Sequence, residues 1–149
     1  MYKHILIPTD GSDLSEEAIE HGVALAKALS AKVTAVTVFH VSAFGAGFLG
    51  GYKEYIMTLA AKYLRVAKDA ATASGVPCDV VQIEHEQPYQ AIIDTAEKRG
   101  CDVIVMASHG RRGVSAVVLG SETVKVLTHG AIPVVVVRGQ RPGAYFVAS

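Results

Sequence analysis

His4-Ile5-Leu6-Ile7-Pro8-Thr9 is an apolar run of strand length, and it breaks at Asp10-Gly11-Ser12, a cluster that favours a turn. Immediately beyond it, Leu14, Ala18, Gly22, Leu25 and Leu29 fall on one stripe at helical spacing. The segment therefore reads as strand, turn, helix. Ser12 or Asp13 can cap that helix, because each carries an oxygen able to accept from an orphan amide, and Glu16 and Glu17 suit the positive end of its dipole.

The same alternation continues along the chain. Lys32 to Val41 is rich in β-branched residues and predicts a second strand. Ser42 to Gly51 is glycine-rich, shows no period and reads as a loop. From Tyr52 to Ser74, residues Ile56, Leu59, Ala60, Tyr63, Ala67 and Ala70 recur at helical spacing, and Gly75-Val76-Pro77 ends that helix. Asp79 to Ile83 predicts a third strand. Pro88 suits the first turn of a third helix that Gly100 closes, and Asp102 to Ala107 predicts a fourth strand. A fourth helix, roughly Ser121 to Thr128, leads through Gly130 to a last strand from Pro133 to Arg138. Strands that are continuous apolar runs, alternating with helices, predict an α/β protein whose doubly wound parallel sheet is covered on both faces.

Composition narrows the class. The chain has 149 residues, so 1–149 read as one domain, with Gln140 to Ser149 as a C-terminal tail. Half of the residues are hydrophobic and 19% are charged, a composition that forms a core rather than staying disordered. Fourteen basic and fourteen acidic side chains give a net charge of zero, which removes the broad attraction that a nucleic-acid backbone or an anionic membrane requires. No aliphatic run approaches the roughly 18 residues needed to span a bilayer, and the N-terminus carries acids where a signal peptide needs an apolar core. A cytoplasmic protein without nucleic-acid or membrane partners is expected. Cys78 and Cys101 belong to no metal-binding spacing and read as small buried side chains.

In an open α/β sheet, ligands bind beyond the carboxyl ends of the strands. The segment after the fourth strand, Ala107 to Thr123, is the most informative of these. Small residues there let the backbone approach a ligand, and Gly120-Ser121 at a helix start offers amides, a hydroxyl and a dipole to an anion. Arg111 and Arg112 can add charge-assisted bonds to phosphate oxygens, and Ser121 and Thr123 can add hydroxyls. The alternative reading is a loop whose glycines serve only its turns, followed by a Ser-capped helix.

The pattern Ala107-x2-Gly110-x9-Gly120-Ser121 resembles the universal stress protein family, whose nucleotide-binding members carry G-x2-G-x9-G-S/T at this place. The opening ILIPTDGS, the His40-Val41 strand end and the closing IPVVVVR extend the resemblance over nearly the whole chain. It implies a Rossmann-like sheet of five strands in order 3-2-1-4-5 with four helices. It also implies an adenine nucleotide, usually ATP with Mg2+ or Mn2+, and a homodimer formed through the last strand. By position, Asp10 matches the acid near the ribose and metal, Pro8 and Thr9 shape its turn, and the backbone of Val41 matches the position that reads the adenine edge. Ala107 would lie beside the ribose and Gly110, Gly120, Ser121, Glu122 and Thr123 around the phosphates, which His109 and Arg111 could also approach; Met106 and Gly113 complete the expected nucleotide-binding set. Two residues depart from the pattern: Ala107 replaces the first glycine, and Glu122 puts an acid at the helix start, either turned to solvent or helping to hold the metal.

Other motifs lead nowhere. Gly45-Ala46-Gly47-Phe48-Leu49-Gly50 matches G-x-G-x-x-G, but the helix starts after it and the acid at the right distance, Asp69, lies within a helix, so it reads as a hinged flap rather than a dinucleotide fingerprint. No G-x-x-x-x-G-K-S/T and no G-x-S-x-G is present. His85 with Glu84 and Glu86 reads as a solvated turn, and His40 as packing at a strand end. Binding groups without an obvious general base suggest a ligand-dependent dimeric switch with at most slow ATP hydrolysis. The alternative is a homodimeric interaction module that needs no nucleotide and acts through an unidentified protein partner.

Overall fold

The computed structural model describes residues 1–41, 50–110 and 119–139. Residues 42–49, which carry most of the glycine-rich loop and of the flap read there, Arg111, Arg112, Gly113 and the tail from Gln140 lie outside the described residues. In chain order the elements are β1 (His4–Pro8), α1 (Asp13–Leu29), β2 (Lys32–Phe39), α2 (Tyr52–Ala73), β3 (Cys78–Glu84), α3 (Pro88–Lys98), β4 (Val103–Ala107), α4 (Ser121–His129) and β5 (Val134–Val137). All pairings are parallel, in the order β3-β2-β1-β4-β5. The chain thus winds outward from β1 to one edge and from β4 to the other.

Strand alternation builds a core on each face. Ile5, Ile7, Val33, Val103 and Val105 pack against Ile19, Val23 and Leu64 of α1 and α2, whereas Leu6, Val36, Ile104 and Met106 pack against Ile92, Ile93 and Val126 of α3 and α4. Each fully buried large aliphatic contributes about 1.5–3 kcal/mol. Three helices end with the same bond, from Ala31 to Ala26, Val76 to Ala71 and Cys101 to Ala96, each N–H donating to its carbonyl at 2.8 Å. Both edge strands are partly open: Val80 of β3 and Val135 of β5 are exposed. The reading of every strand as fully covered therefore holds only for the interior of the sheet.

Ser12, rather than Asp13, caps α1, its side chain accepting from the Ser15 N–H at 3.2 Å. Both cysteines are buried, and burial pushes the Cys101 thiol up to about 11, so neither is a ready nucleophile. His40 is exposed rather than packed, because β2 ends at Phe39. His85 accepts from the Gln87 N–H through Nδ1 within a turn.

Two stability predictions follow from the core. His4 is buried and its Nε2 lies 2.7 Å from Thr34 Oγ1; burial, then the charge of Lys32, lowers its pKa from the ordinary 6.5. The folded state therefore binds the proton less readily than the unfolded chain, and stability present above pH about 6.5 is lost as pH falls through the lowered pKa. The thermal midpoint should drop more between pH 7 and 5.5 for the native protein than for His4→Gln. At Gly22, α1 passes so close to the sheet that a Cβ would stand 2.4 Å from Ile7 Cδ1. Gly22→Ala should destabilise by about 1–2 kcal/mol despite the better helix former, and Ile7→Val in the same chain should recover much of that loss in a denaturant titration.

Candidate functional site

The order of the strands puts the reversal of winding between β1 and β4, and the backbone opens there. Their ladder contains only Ile5 with Val103 and Leu6 with Ile104. Thr9 directs its N–H to β2, donating to the Val36 carbonyl at 2.9 Å, so the preceding residue, Pro8, faces β4. Proline has no N–H to give, and the ladder stops. Beyond that point lies a cavity of about 510 Å³, within the usual range for small-molecule sites.

The β1–α1 turn forms one wall. The Thr9 hydroxyl lies 3.0 Å from Ser15 Oγ and accepts from the Gly11 N–H at 3.3 Å, while the Thr9 carbonyl accepts from Thr37 Oγ1 at 2.9 Å. Asp10 accepts the Ser12 N–H on Oδ1 at 3.0 Å, which fixes its carboxylate at the rim. Gly11 has φ +79°, and a Cβ there would run into the ring of Tyr63 on α2.

The β4–α4 connection forms the facing wall. Ser108 N–H donates to the Val137 carbonyl at 2.8 Å, and the Ser108 carbonyl accepts from the Gly120 N–H at 2.7 Å. The two ends of the connection are thereby clasped together. Thr123 is buried and its hydroxyl donates to the Ala107 carbonyl at 2.9 Å, so it positions the start of α4. Gly120 is the N-cap of α4 and supplies no side-chain cap, leaving the first-turn amides without an intrahelical partner. Gly110 sits against Asp10: a Cβ there would be 2.5 Å from Oδ2.

Glu122 does not turn to solvent as an isolated charge. Its Oε1 accepts the backbone N–H of Tyr89 on α3 at 3.0 Å, and its Oε2 lies 3.4 Å from Lys125 Nζ.

Of the expected residues, Pro8, Thr9, Asp10, Met106, Ala107, His109, Gly110, Gly120, Ser121, Glu122 and Thr123 line this one cavity. Val41 is buried past the end of β2 and is not part of its lining, and Arg111 and Gly113 lie outside the described residues. Sequence reasoning missed Ser15, Val36, Val38, Pro88 and Ile92, which also line it. The alternation of β2 and the proline opening α3 were the available signals for Val38 and Pro88. The floor is thus apolar, from Val36, Val38, Ile92 and Met106, and the polar groups gather at the strand ends. Among the described residues no group of three or more His, Cys, Asp or Glu side chains could hold a metal by itself.

Comparison with known proteins agrees with this architecture. The family model described as "Universal stress protein family" matches residues 1–138. Universal stress protein MJ0531 of Methanocaldococcus jannaschii is 37% identical over 142 residues, covering 93% of this chain and 83% of that protein. The solved structure of MJ0577, from the same organism, superposes with a TM-score of 0.83 at 28% identity, covering 95% of this chain and 99% of that one. A universal stress protein solved in complex with cAMP gives a TM-score of 0.68 at 25% identity, covering 92% and 97%. With its five parallel strands wound in the same order and the match running through the last strand, the chain belongs to the universal stress protein family.

Proposed function

We propose that the protein binds an adenine nucleotide, ATP with a divalent cation, in the cavity between β1 and β4, and that occupancy governs a homodimer formed through β5. The observation that carries this reading is the pairing of an apolar floor with uncapped α4 amides at one strand-end cavity. A base needs a flat apolar slot and a phosphate needs oriented N–H groups. A relative solved with cAMP supports the ligand class.

The donor set also suits the cation. Asp10 is a single carboxylate at the rim, and Mg2+ characteristically takes one or two carboxylates with the rest of its shell from phosphates and water. Mn2+ would be held in the same way. The cation, when bound, would neutralise phosphate charge; Asp10 would hold it and the ribose side of the ligand. The described polar groups of the lining are read as binding groups, and slow hydrolysis is the most that is proposed for the site.

A second reading, an interaction module that needs no nucleotide, is favoured by one feature. Leu119, Val124 and Leu127 are exposed at and just before α4, and Val135 is exposed on the edge strand β5. Apolar groups beside an open strand edge favour association with a second copy or with a partner protein.

Calorimetry with ATP and Mg2+ separates the two readings. At 100 times its dissociation constant the ligand should add about 2.7 kcal/mol to stability and raise the thermal midpoint. Asp10→Ala should weaken binding at least tenfold, and Gly120→Val should abolish it, since a Cβ there would stand 3.0 Å from His109 Cα and force the clasp apart. Binding by the native protein that survives both substitutions would remove the proposed site. A dimer in sedimentation that binds no nucleotide would establish the interaction module instead.

A further inference from the structure

Two helices direct their N-termini at the cavity. Pro88 opens α3 and Ser121 opens α4, and both line it. Neither helix has a side-chain cap from its own N-cap residue, Gln87 or Gly120. Each end therefore carries partial positive charge, but at α3 Pro88 has no N–H and the Gln90 N–H donates to the Gln87 carbonyl at 3.1 Å, which leaves the Tyr89 N–H as the first-turn donor to be satisfied. The α3 end is already filled by an anion of this chain. The carboxylate of Glu122 crosses from α4 to accept the Tyr89 N–H at 3.0 Å, where an anionic ligand of α3 would otherwise sit.

That carboxylate is held from more than one side. Its second oxygen faces Lys125 Nζ at 3.4 Å, and Lys125 in turn stands 5.5 Å above the centre of the Tyr89 ring. The Tyr89 ring packs against His129 with centroids 5.2 Å apart. An acid free to rotate would swing away from an arriving phosphate; this one must give up its hydrogen bond to do so. Among the described lining residues, the charged side chains are Asp10 and Glu122, both acidic. The described walls thus meet a polyphosphate with negative charge, and one helix end rather than two remains to bind it.

We infer that Glu122 is a specificity-determining residue that limits how much uncompensated phosphate charge the cavity accepts. It favours a nucleoside monophosphate over a metal-free triphosphate and makes entry of the triphosphate depend on its divalent cation. This rests on the adenine-nucleotide reading above and refines it.

The test is calorimetric titration of AMP and of ATP, each with EDTA and with Mg2+, into the native protein, Glu122→Gln and Lys125→Gln. Glutamine keeps an oxygen for the Tyr89 N–H and removes only the charge; Lys125→Gln leaves the carboxylate with its full charge. In EDTA the native protein should bind AMP more tightly than ATP, and Mg2+ should narrow the gap. Glu122→Gln should raise metal-free ATP affinity relative to AMP about tenfold, the effect of one charge several ångströms away in a partly screened site. Lys125→Gln should move the ratio the other way. A ratio of ATP to AMP affinity that is the same in all three proteins would overturn the inference while leaving the nucleotide site standing. Failure of both nucleotides to bind any of the three, with or without Mg2+, would overturn the nucleotide reading and this inference with it.

Discussion

Between β1 and β4 the sheet has two register pairs where a continuous ladder would have more, and the missing bond traces to one residue. Pro8 faces β4 with no N–H to donate, while its neighbour Thr9 remains tied to β2. Because the winding reverses between these two strands, no crossover helix covers their carboxyl ends, and the chains leaving them turn to opposite faces. The cavity is the consequence. Its floor comes from apolar strand residues already needed for the α3 and α4 core, and its rim from the two connections that must diverge there.

Those connections are fixed by polar contacts more than by packing. On the β1 side, Thr9, Ser12, Ser15 and Thr37 satisfy the backbone of a tight turn, which leaves Asp10 at the edge with its direction set. On the β4 side, Thr123 and Ser108 do the equivalent work for the start of α4. A buried hydroxyl with its partner removed costs about 1–3 kcal/mol, so these small residues constrain the site even though they present little surface to a ligand. Gly110 and Gly120 belong to the same arrangement: a side chain at the first would meet Asp10, and one at the second would meet His109. The glycines are therefore explained by the packing of the chain itself, and the space beside them is what a ligand would use.

The order of elements was legible because the strands are short runs rich in apolar and β-branched residues, most of them stopped by Gly, Pro or Asp on at least one side, and the helices carry a stripe at 3.6 spacing. HILIPT, KVTAVTVF and DVIVMA need no tertiary information to be recognised. The Asp10 turn and the Gly110 and Gly120 positions were legible for the same reason, as loop residues directly after strands. Glu122 was not. Its partner is the Tyr89 amide, 33 residues away on a different helix, and only the packing of α3 beside α4 brings them together. Thr123 reads as a phosphate ligand because a hydroxyl at a helix start is usually available, yet its proton goes to the Ala107 carbonyl at the end of β4. The floor residues Val36 and Val38 were hidden in a strand whose alternation assigns them to a face without showing that the face ends in a cavity.

Ser108 joins the site to the edge of the sheet. Its carbonyl accepts from Gly120 and its N–H donates to Val137, so the cavity rim and the last residue of β5 are separated by one residue and two hydrogen bonds. β5 is short and partly exposed, with few residues to absorb a displacement. A ligand phosphate at the start of α4 would compete with the Ser108 carbonyl for the polarity of the same helix end. An adjustment of that clasp is shared between rotation about φ and ψ of Ser108 and displacement of Val137. For the dimer proposed above, these two bonds are the shortest connection between the cavity and β5 within a single chain, and they do not run through the core.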